Sequence, residues 1–334
     1  MNILLTGGLG YIGSHTALSL IAEGHKVILY DNLVNSKKEQ IAILERISGR
    51  SINFVYGDIR NTDLISSTLK NYGVDSVIHF AGLKSVEDSF KNPIKYFDNN
   101  VFGTISLLKA MELNNLRTIV FSSSATVYGE LLNLPVDENH KSTPLNPYGK
   151  AKKYIEDMLE DLSKSNDKWK ILNLRYFNPV GAHQSGLIGE SLNNKPNNLM
   201  PIISLAALGK LPFINVYGDD YQTIDGSGVR DYIHISDLAD GHVAALQFLL
   251  KGNSGCNAIN LGTGKGHSVL EVIAAFSKIS GKKINYKIVA RRSGDVPSCY
   301  ASISKASKLL NWHAKADLKE MCKSQWNWIK KNHE

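Results

Sequence analysis

A run of glycines near the N-terminus constrains this chain more than any other feature. Gly7-Gly8-Leu9-Gly10-Tyr11-Ile12-Gly13 comes after the apolar stretch Ile3-Leu4-Leu5 and opens a helical pattern. It satisfies both Gly-x-x-Gly-x-x-Gly and Gly-x-Gly-x-x-Gly. Glycines let a strand turn tightly into a helix and let backbone approach a ligand closely. The helix start then offers free N–H groups and a positive dipole end, which suits a pyrophosphate.

Beyond the loop, strand-like and helix-like segments alternate. Residues 3–6, 26–30, 52–55, 76–80 and 118–122 read as short buried strands, and 11–22, 36–47, 62–71 and 101–113 as helices between them. Strand–helix alternation predicts parallel strands with crossover helices, hence an α/β fold with a Rossmann-type, doubly wound parallel sheet. Gly7, Gly10, Tyr11, Ile12 and Gly13 are then the candidate phosphate cradle of a dinucleotide. Asp31, 18 positions after Gly13, ends the second strand. A carboxylate there hydrogen-bonds ribose hydroxyls and repels a 2′-phosphate, which points to NAD rather than NADP.

After about residue 180 the alternation breaks. Residues 181–198 are rich in Gly and Asn and read as a long loop. Helices are expected at 199–208, 237–250, 269–279, 305–310 and 318–330. The expected division is residues 1–180 for the dinucleotide and 181–334 mainly for a smaller α/β substrate-binding lobe. That lobe is discontinuous, with segments returning to the large domain.

The 334 residues are 43% hydrophobic and 21% charged, an ordinary globular composition. No stretch approaches the roughly 18 apolar residues of a membrane span, and the N-terminus lacks signal-peptide character. Cys256, Cys299 and Cys322 make three cysteines without a Cys-x-x-Cys pair. That pattern predicts neither a disulfide framework nor a metal site, and fits a cytoplasmic protein. The net charge of +7 is scattered, without the blocks that would predict nucleic-acid binding.

A second constellation carries chemistry. Ser122-Ser123-Ser124 ends the fifth strand, and Tyr148 and Lys152 come later in the chain, four residues apart. On a helix such a pair shares a face. A phenol near pKa 10 is a poor base at neutral pH. A neighbouring ammonium and the cation of NAD's nicotinamide ring would favour its phenolate. Tyr148 could then take a hydroxyl proton while hydride leaves to NAD, with Ser124 bonding the same oxygen.

With these residues in place, the chain resembles the extended short-chain dehydrogenase/reductase family, and within it the UDP-glucose 4-epimerases. The segments that carry the resemblance span nearly the whole chain. They include residues 6–16, 31–33, 57–60, 79–84, 98–100, 122–129, 174–182, 197–201 (Asn197-Asn198-Leu199-Met200-Pro201) and 228–234. The resemblance implies that Asp31, Asn32, Asn35 and Ser36 hold the adenosine end of NAD and that Asp58 and Ile59 flank the adenine. Phe80, Ala81, Lys84, Asn99 and Ser122 would lie along the cofactor, with Tyr176 near the nicotinamide. On the substrate side it implies Lys84, Ser124, Tyr148, Phe177, Asn178, Asn198, Leu199, Tyr232 and Cys299. Arg230 and Arg292 would clamp the UDP diphosphate, with adjacent Arg291 able to exchange roles with Arg292, and Asp295 would hold a UDP ribose.

The implied reaction is C4 epimerisation of UDP-hexoses through a 4-keto sugar that swings to present its other face. A homodimer is implied as well, formed through helices at 101–113 and 148–162. One departure stands out. Hexose-only members carry a tyrosine two residues after the proline of Arg-x-Gly-Asp-x-Pro, where this chain has Cys299. The smaller residue implies room for a 2-N-acetyl group, hence activity on UDP-GlcNAc and UDP-GalNAc. Two other readings share the cofactor loop: a nucleotide-sugar 4,6-dehydratase and a non-catalytic NAD-binding sensor. The dehydratase needs an acidic pair just after the strand-end serine, where this chain has Ala125 and Thr126. The sensor commonly lacks the tyrosine or the lysine.

Overall fold

The computed structural model describes residues 1–333 except 130, 132, 193–195, 197, 293 and 294. In chain order the first half runs β1 (Asn2–Thr6), α1 (Tyr11–Ala22), β2 (Lys26–Asp31), α2 (Gln40–Ser48), β3 (Asn53–Tyr56), α3 (Thr62–Asn71) and β4 (Ser76–His79). Short helices α4 (Val86–Lys91) and α5 (Pro93–Tyr96) lead through a π-helical turn, Phe97–Phe102, into α6 (Gly103–Leu113). Then come β5 (Thr118–Ser124), α7 (Pro147–Ser165), β6 (Lys170–Tyr176) and β7 (Asn178–Val180).

The second half runs α8 (Leu199–Ala207), β8 (Ile214–Tyr217), β9 (Val229–Arg230), β10 (Tyr232–His234), α9 (Ile235–Leu250), β11 (Gly255–Leu261) and β12 (His267–Ser268). It ends with α10 (Val269–Ser280), β13 (Tyr286–Val289), β14 (Ser298–Cys299), α11 (Ser304–Leu310) and α12 (Leu318–His333).

Seven strands form one parallel sheet in the order β11-β6-β5-β4-β1-β2-β3. Both faces are covered, so the strands are apolar throughout instead of alternating. Ile3 and Leu5 face the core beneath α1 and α9, while Leu4 faces the core beneath α3, α6 and α7. Val27 and Leu29 likewise oppose Ile28 and Tyr30. Strand order reverses between β1 and β4, the place where such sheets bind ligands.

The seventh strand, β11, and helices α9 and α11 come from beyond residue 181 and pack on the large sheet. The remaining segments build a smaller lobe. Its strands pair as β10-β7, β12-β9-β14 and β13-β8, and α8, α10 and α12 share its core with Met200, Val272, Phe276 and Trp326. A further cluster of Val127, Tyr128, Val136, Phe177 and Ala301 packs between sheet and lobe.

Two helices start later than expected. The helix expected from 36 starts at Gln40, because the Ser36 hydroxyl donates to Asp31 Oδ1 at 2.9 Å instead of serving a helix. The helix expected from 101 is regular only from Gly103. Among the described residues no helix is long and apolar enough to cross a membrane.

Candidate active site

The glycine loop sits at the carboxyl end of β1. Gly7 has φ +67, and a Cβ there would lie 2.7 Å from the Ala81 nitrogen. A Cβ on Gly13 would lie 2.5 Å from the Gly7 oxygen. Gly7 N–H donates to Tyr30 O at 2.7 Å and Gly10 N–H to Gly7 O at 3.0 Å, which closes the turn. Gly10 caps α1 without any side-chain hydrogen bond, so the helix start at Tyr11 and Ile12 is left to a ligand. A loop that tolerates no side chain, opening an uncapped helix, fits a dinucleotide pyrophosphate.

Asp31 ends β2 and is buried. Its carboxylate accepts from Leu9 N–H at 3.1 Å and Leu33 N–H at 2.9 Å. This fixes the acid beside the loop. Asn32 donates to Asp58 Oδ2 at 3.3 Å. Arg60, which donates to Asp58 Oδ1 at 2.8 Å, holds the Asp58 carboxyl down at about 2. Ile59 is buried and Asn35 is exposed. Asn99 lies in the π-helical turn and donates to Asn100 Oδ1 at 2.9 Å, and Asn100 in turn bonds both backbone groups of Leu83. That turn therefore positions the strand end that carries Phe80, Ala81 and Lys84.

The serines, Tyr148 and Lys152 converge at the end of β5. Asn146 caps α7 by accepting from Gly149 N–H at 2.8 Å, and Pro147 opens the first turn. Tyr148 and Lys152 thus leave the first two turns on one face. Lys152 Nζ donates to Ser122 O at 2.6 Å and lies 5.8 Å from the Tyr148 ring centroid. The Ser124 hydroxyl stands close enough to the Tyr148 hydroxyl to favour its phenolate.

The electrostatics differ from the sequence expectation. Burial pushes the Tyr148 phenol up to about 12, against the lowering effect of Ser124. Burial also pulls the Lys152 ammonium down to about 7, against the raising effect of Glu156. Losing water costs both charges, so the pair alone does not hold a phenolate.

Tyr176 ends β6 opposite Ser124, its hydroxyl bonded to His242 Nε2 and to Ser122. Phe80 packs on the His242 ring at 4.9 Å. Lys84 Nζ meets Glu190 Oε1 at 2.7 Å, and Asn198 Nδ2 reaches the same oxygen at 3.1 Å. Leu199 starts α8, and Asn197 lies outside the described residues. Asn178 is exposed, and Phe177 and Tyr232 are buried.

Arg230 Nη2 and Arg292 Nε meet the two oxygens of Asp295 at 3.5 and 3.0 Å. Arg291 turns away, onto Asp220 at 2.7 Å and the Tyr221 ring at 4.1 Å. Arg292 therefore stands with Arg230 and Asp295, and Arg291 does not. Cys299 pairs with Arg230 in the β14–β9 register and borders the cluster containing Phe177, while burial pushes its thiol up to about 11. Residues 293 and 294 of the Arg-x-Gly-Asp-x-Pro motif lie outside the described residues.

Several residues of the site carry no sequence signal. His242 and Glu190 belong to no motif. Asp231, by contrast, lies in the 228–234 segment; it is buried and accepts from Thr263, Gly264 and Ala301 N–H groups at 2.8, 3.0 and 3.1 Å, which pins the strand bearing Arg230. Glu156 does carry a signal, in its spacing of one helical turn after Lys152.

A doubly wound sheet with a glycine loop at its switch point and a Ser–Tyr–Lys group at the neighbouring strand end defines an extended short-chain dehydrogenase/reductase. Residues 4–325 match a family model described as GDP-mannose 4,6 dehydratase. The chain is 50% identical over 335 residues to the Pisum sativum bifunctional UDP-glucose 4-epimerase and UDP-xylose 4-epimerase 1, covering 99% of this chain and 96% of that one.

Among solved structures it is similar to the UDP-glucose 4-epimerase of Stenotrophomonas maltophila with bound NAD and formylated UDP-arabinopyranose. The TM-score is 0.97 at 46% identity, over 99% of this chain and 98% of that one. It is also similar to the Bifidobacterium longum enzyme in complex with NAD+ and UDP, with TM-score 0.96 at 46% identity over 99% of both chains. The chain belongs to the UDP-glucose 4-epimerase family. The dehydratase name of the broader model does not carry over, because Ser124 is succeeded by Ala125 and Thr126 and not by the acidic pair that dehydration needs.

Proposed function

We propose that this chain interconverts the C4 epimers of UDP-glucose and UDP-galactose with NAD as its resident cofactor. The observation that carries the proposal is the convergence of Ser124, Tyr148 and Lys152 beside the uncapped glycine-loop helix. Residues 1–180, completed by the returning strand β11, would form the NAD domain, and residues 181–334 mainly the UDP-sugar lobe. Gly7, Gly10, Tyr11, Ile12 and Gly13 would hold the pyrophosphate. Asp31, Asn32, Asn35 and Ser36 would take the adenosine, with Asp58 and Ile59 by the adenine. Phe80, Ala81, Lys84, Asn99, Ser122 and Tyr176 would line the rest of the cofactor.

When bound, NAD supplies a reversible hydride acceptor for sugar C4. The chain's part is to move the O4 proton, and to do so from either face of the sugar. Tyr148 is the proton acceptor and donor, Ser124 orients the O4 oxygen, and Lys152 supplies charge beneath the phenol. Arg230 and Arg292 grip the diphosphate, exchanging their contact with Asp295 for phosphate oxygens, and Asp295 takes the ribose. Lys84, Phe177, Asn178, Asn198, Leu199 and Tyr232 complete the sugar pocket. A clamp on UDP that leaves the hexose free to turn over is what epimerisation needs.

Cys299 is proposed to leave room for a 2-N-acetyl group, extending the substrates to UDP-GlcNAc and UDP-GalNAc. A homodimer through α6 and α7 is supported by a groove of about 340 Å³ lined by Ile105, Leu108, Met158 and Leu162. Half-exposed Phe102 and Tyr154 lie on the same two-helix face. Three unpaired thiols suit a cytoplasmic protein.

The test is an assay of both UDP-sugar pairs with no added cofactor, then acid denaturation and measurement of released NAD. Turnover of the hexose pair with near-stoichiometric NAD release is expected. No turnover even with NAD supplied would sink the proposal. Turnover of hexoses but not N-acetylhexosamines would remove only the role of Cys299.

A further inference from the structure

One helical turn beyond Lys152, α7 carries a second buried charge. Glu156 lies four residues on, so the two side chains stack on one face. Lys152 and Glu156 are each only 5% exposed. A carboxylate at that depth persists only with strong partners. Glu156 has three donor contacts from two side chains. Arg175 Nε donates to Oε1 at 3.0 Å, Arg175 Nη2 to Oε2 at 2.7 Å, and the Ser123 hydroxyl to Oε1 at 2.5 Å. Ser123 and Arg175 are directly opposite in the β5–β6 register, so the sheet itself fixes the fork.

Arg175 is held in turn. Its guanidinium lies 4.9 Å over the Tyr128 ring, and Nη1 donates to Glu138 O at 3.2 Å. Tyr128 donates to Asn260 Oδ1 at 2.6 Å, and Asn260 to Val136 O at 3.0 Å. The network ends at the bridge between Val136 and Ala301, two residues beyond Cys299.

The surroundings of Lys152 leave Glu156 a clear role. From β5, Ser122 O accepts the ammonium and the Phe121 ring lies 4.7 Å away. From α7 itself come Tyr148 and Glu156. From β4, His79 sits between Thr6 Oγ1 at 2.6 Å and Thr104 Oγ1 at 2.9 Å, and burial drives it down to about 3, so it is neutral. From β6, Tyr176 is bonded to His242 of α9, which burial likewise keeps neutral, and Arg175 reaches this face through Glu156. Lys153 on the same helix is paired with Asp157. Among the described residues, Glu156 is the anion whose charge reaches Lys152.

We infer that Glu156, fixed one helical turn from Lys152 by Arg175 and Ser123, is a positioning residue whose buried charge keeps Lys152 protonated where Ser122 holds it beside Tyr148. This rests on the reading of Lys152 as the cation that supports the Tyr148 proton transfer. Removing the anion lowers the proton affinity of Lys152, so activity disappears at lower pH on the alkaline side. Removing the arginine instead leaves the anion uncompensated and moves the same limb upward. Simple loss of packing has no such pair of opposite signs.

The experiment is the pH profile of kcat for UDP-galactose turnover in the intact enzyme. Glu156→Gln is expected to move the alkaline limb down by about one pH unit, a tenfold change in the protonation ratio. Arg175→Gln is expected to move it up. KM for the UDP-sugar stays within about twofold in both. Because each single change strands a buried charge, the double variant Glu156→Gln/Arg175→Met is measured beside them. It is expected to fold and to show a downward shift smaller than that of Glu156→Gln. A limb unmoved in folded Glu156→Gln, or unmoved in both folded Arg175→Gln and the double variant, overturns the inference. Lys152→Met separates the two levels. If it keeps the parent rate, the catalytic reading itself fails. If it is inactive while the limb is unmoved in the Glu156 variants, only the role of Glu156 fails.

Discussion

Tyr148 shows how burial and function oppose each other at one side chain. The site that excludes water also pushes the phenol up to about 12. The acid–base role proposed for Tyr148 would therefore depend on a charge brought close, such as that of Lys152. Tyr148→Phe keeps the ring and its packing but removes the transferable proton. It should lower kcat by roughly 10²–10⁴-fold with little change in KM, as measured by steady-state assay beside an unchanged circular dichroism spectrum. Cys299 tests pocket size separately. Cys299→Tyr should abolish turnover of UDP-GlcNAc while leaving UDP-glucose turnover within a few fold, and equal loss on both substrates would refute the steric argument. The candidate residues with a motif were legible because spacing places them: a loop of glycines, an acid at a strand end, a Tyr-x-x-x-Lys. Their supports were not. His242 beneath Tyr176 and Asp231 beneath Arg230 are joined to the site only by the folded backbone, and no periodicity announces such a contact.

At the scale of elements, local rules set most boundaries. α1 and α3 begin and end at the expected residues because Gly10, Asn61 and the apolar spacing all agree. Asn61 accepts from Leu64 N–H at 3.0 Å and is none of the candidate catalytic groups. Asn61→Ala should cost about 1 kcal/mol of stability, seen as a lower midpoint in denaturant titration, with kcat unchanged. The expectations slipped where a side chain had a second employer. Ser36 bonds Asp31 and delays α2. The π-helical turn before α6 gives up a residue of helical register to present Asn99 and Asn100. Strands β6 and β11 were the harder omission. β6 interrupts its apolar residues with Asn173 and Arg175 and β11 with Asn257 and Asn260, so neither shows the short apolar run that marks the strands of the first half.

For the whole molecule, several buried imidazoles make stability depend on pH. Burial holds His15 and His79 down at about 3 and His242 at about 4. An unfolded histidine binds its proton near 6.5. The stabilisation from these neutral rings is thus complete above that value and is lost as pH falls from about 6.5 toward 4. Each ring contributes a slope of about 1.4 kcal/mol per pH unit within that window. The melting temperature should therefore drop steeply between pH 6.5 and 5, and a flat profile in differential scanning calorimetry would contradict the burial of these rings. The proposed dimer is tested at this scale too. Tyr154→Asp on the exposed face of α7 should shift sedimentation to a monomer without altering the isolated site.

The sheet order has a consequence during synthesis. β6 pairs along one edge with β5 as soon as both have left the ribosome, but its other edge waits for β11. Until residue 261 emerges, seven residues from Lys170 to Tyr176 present an open row of backbone donors and acceptors. A neighbouring nascent chain could pair there as readily as β11 does. Changes in residues 255–257, at the end of β11 that pairs with Lys170–Leu172 and away from Tyr176, should therefore show first as poor yield in the cell rather than as a slow enzyme.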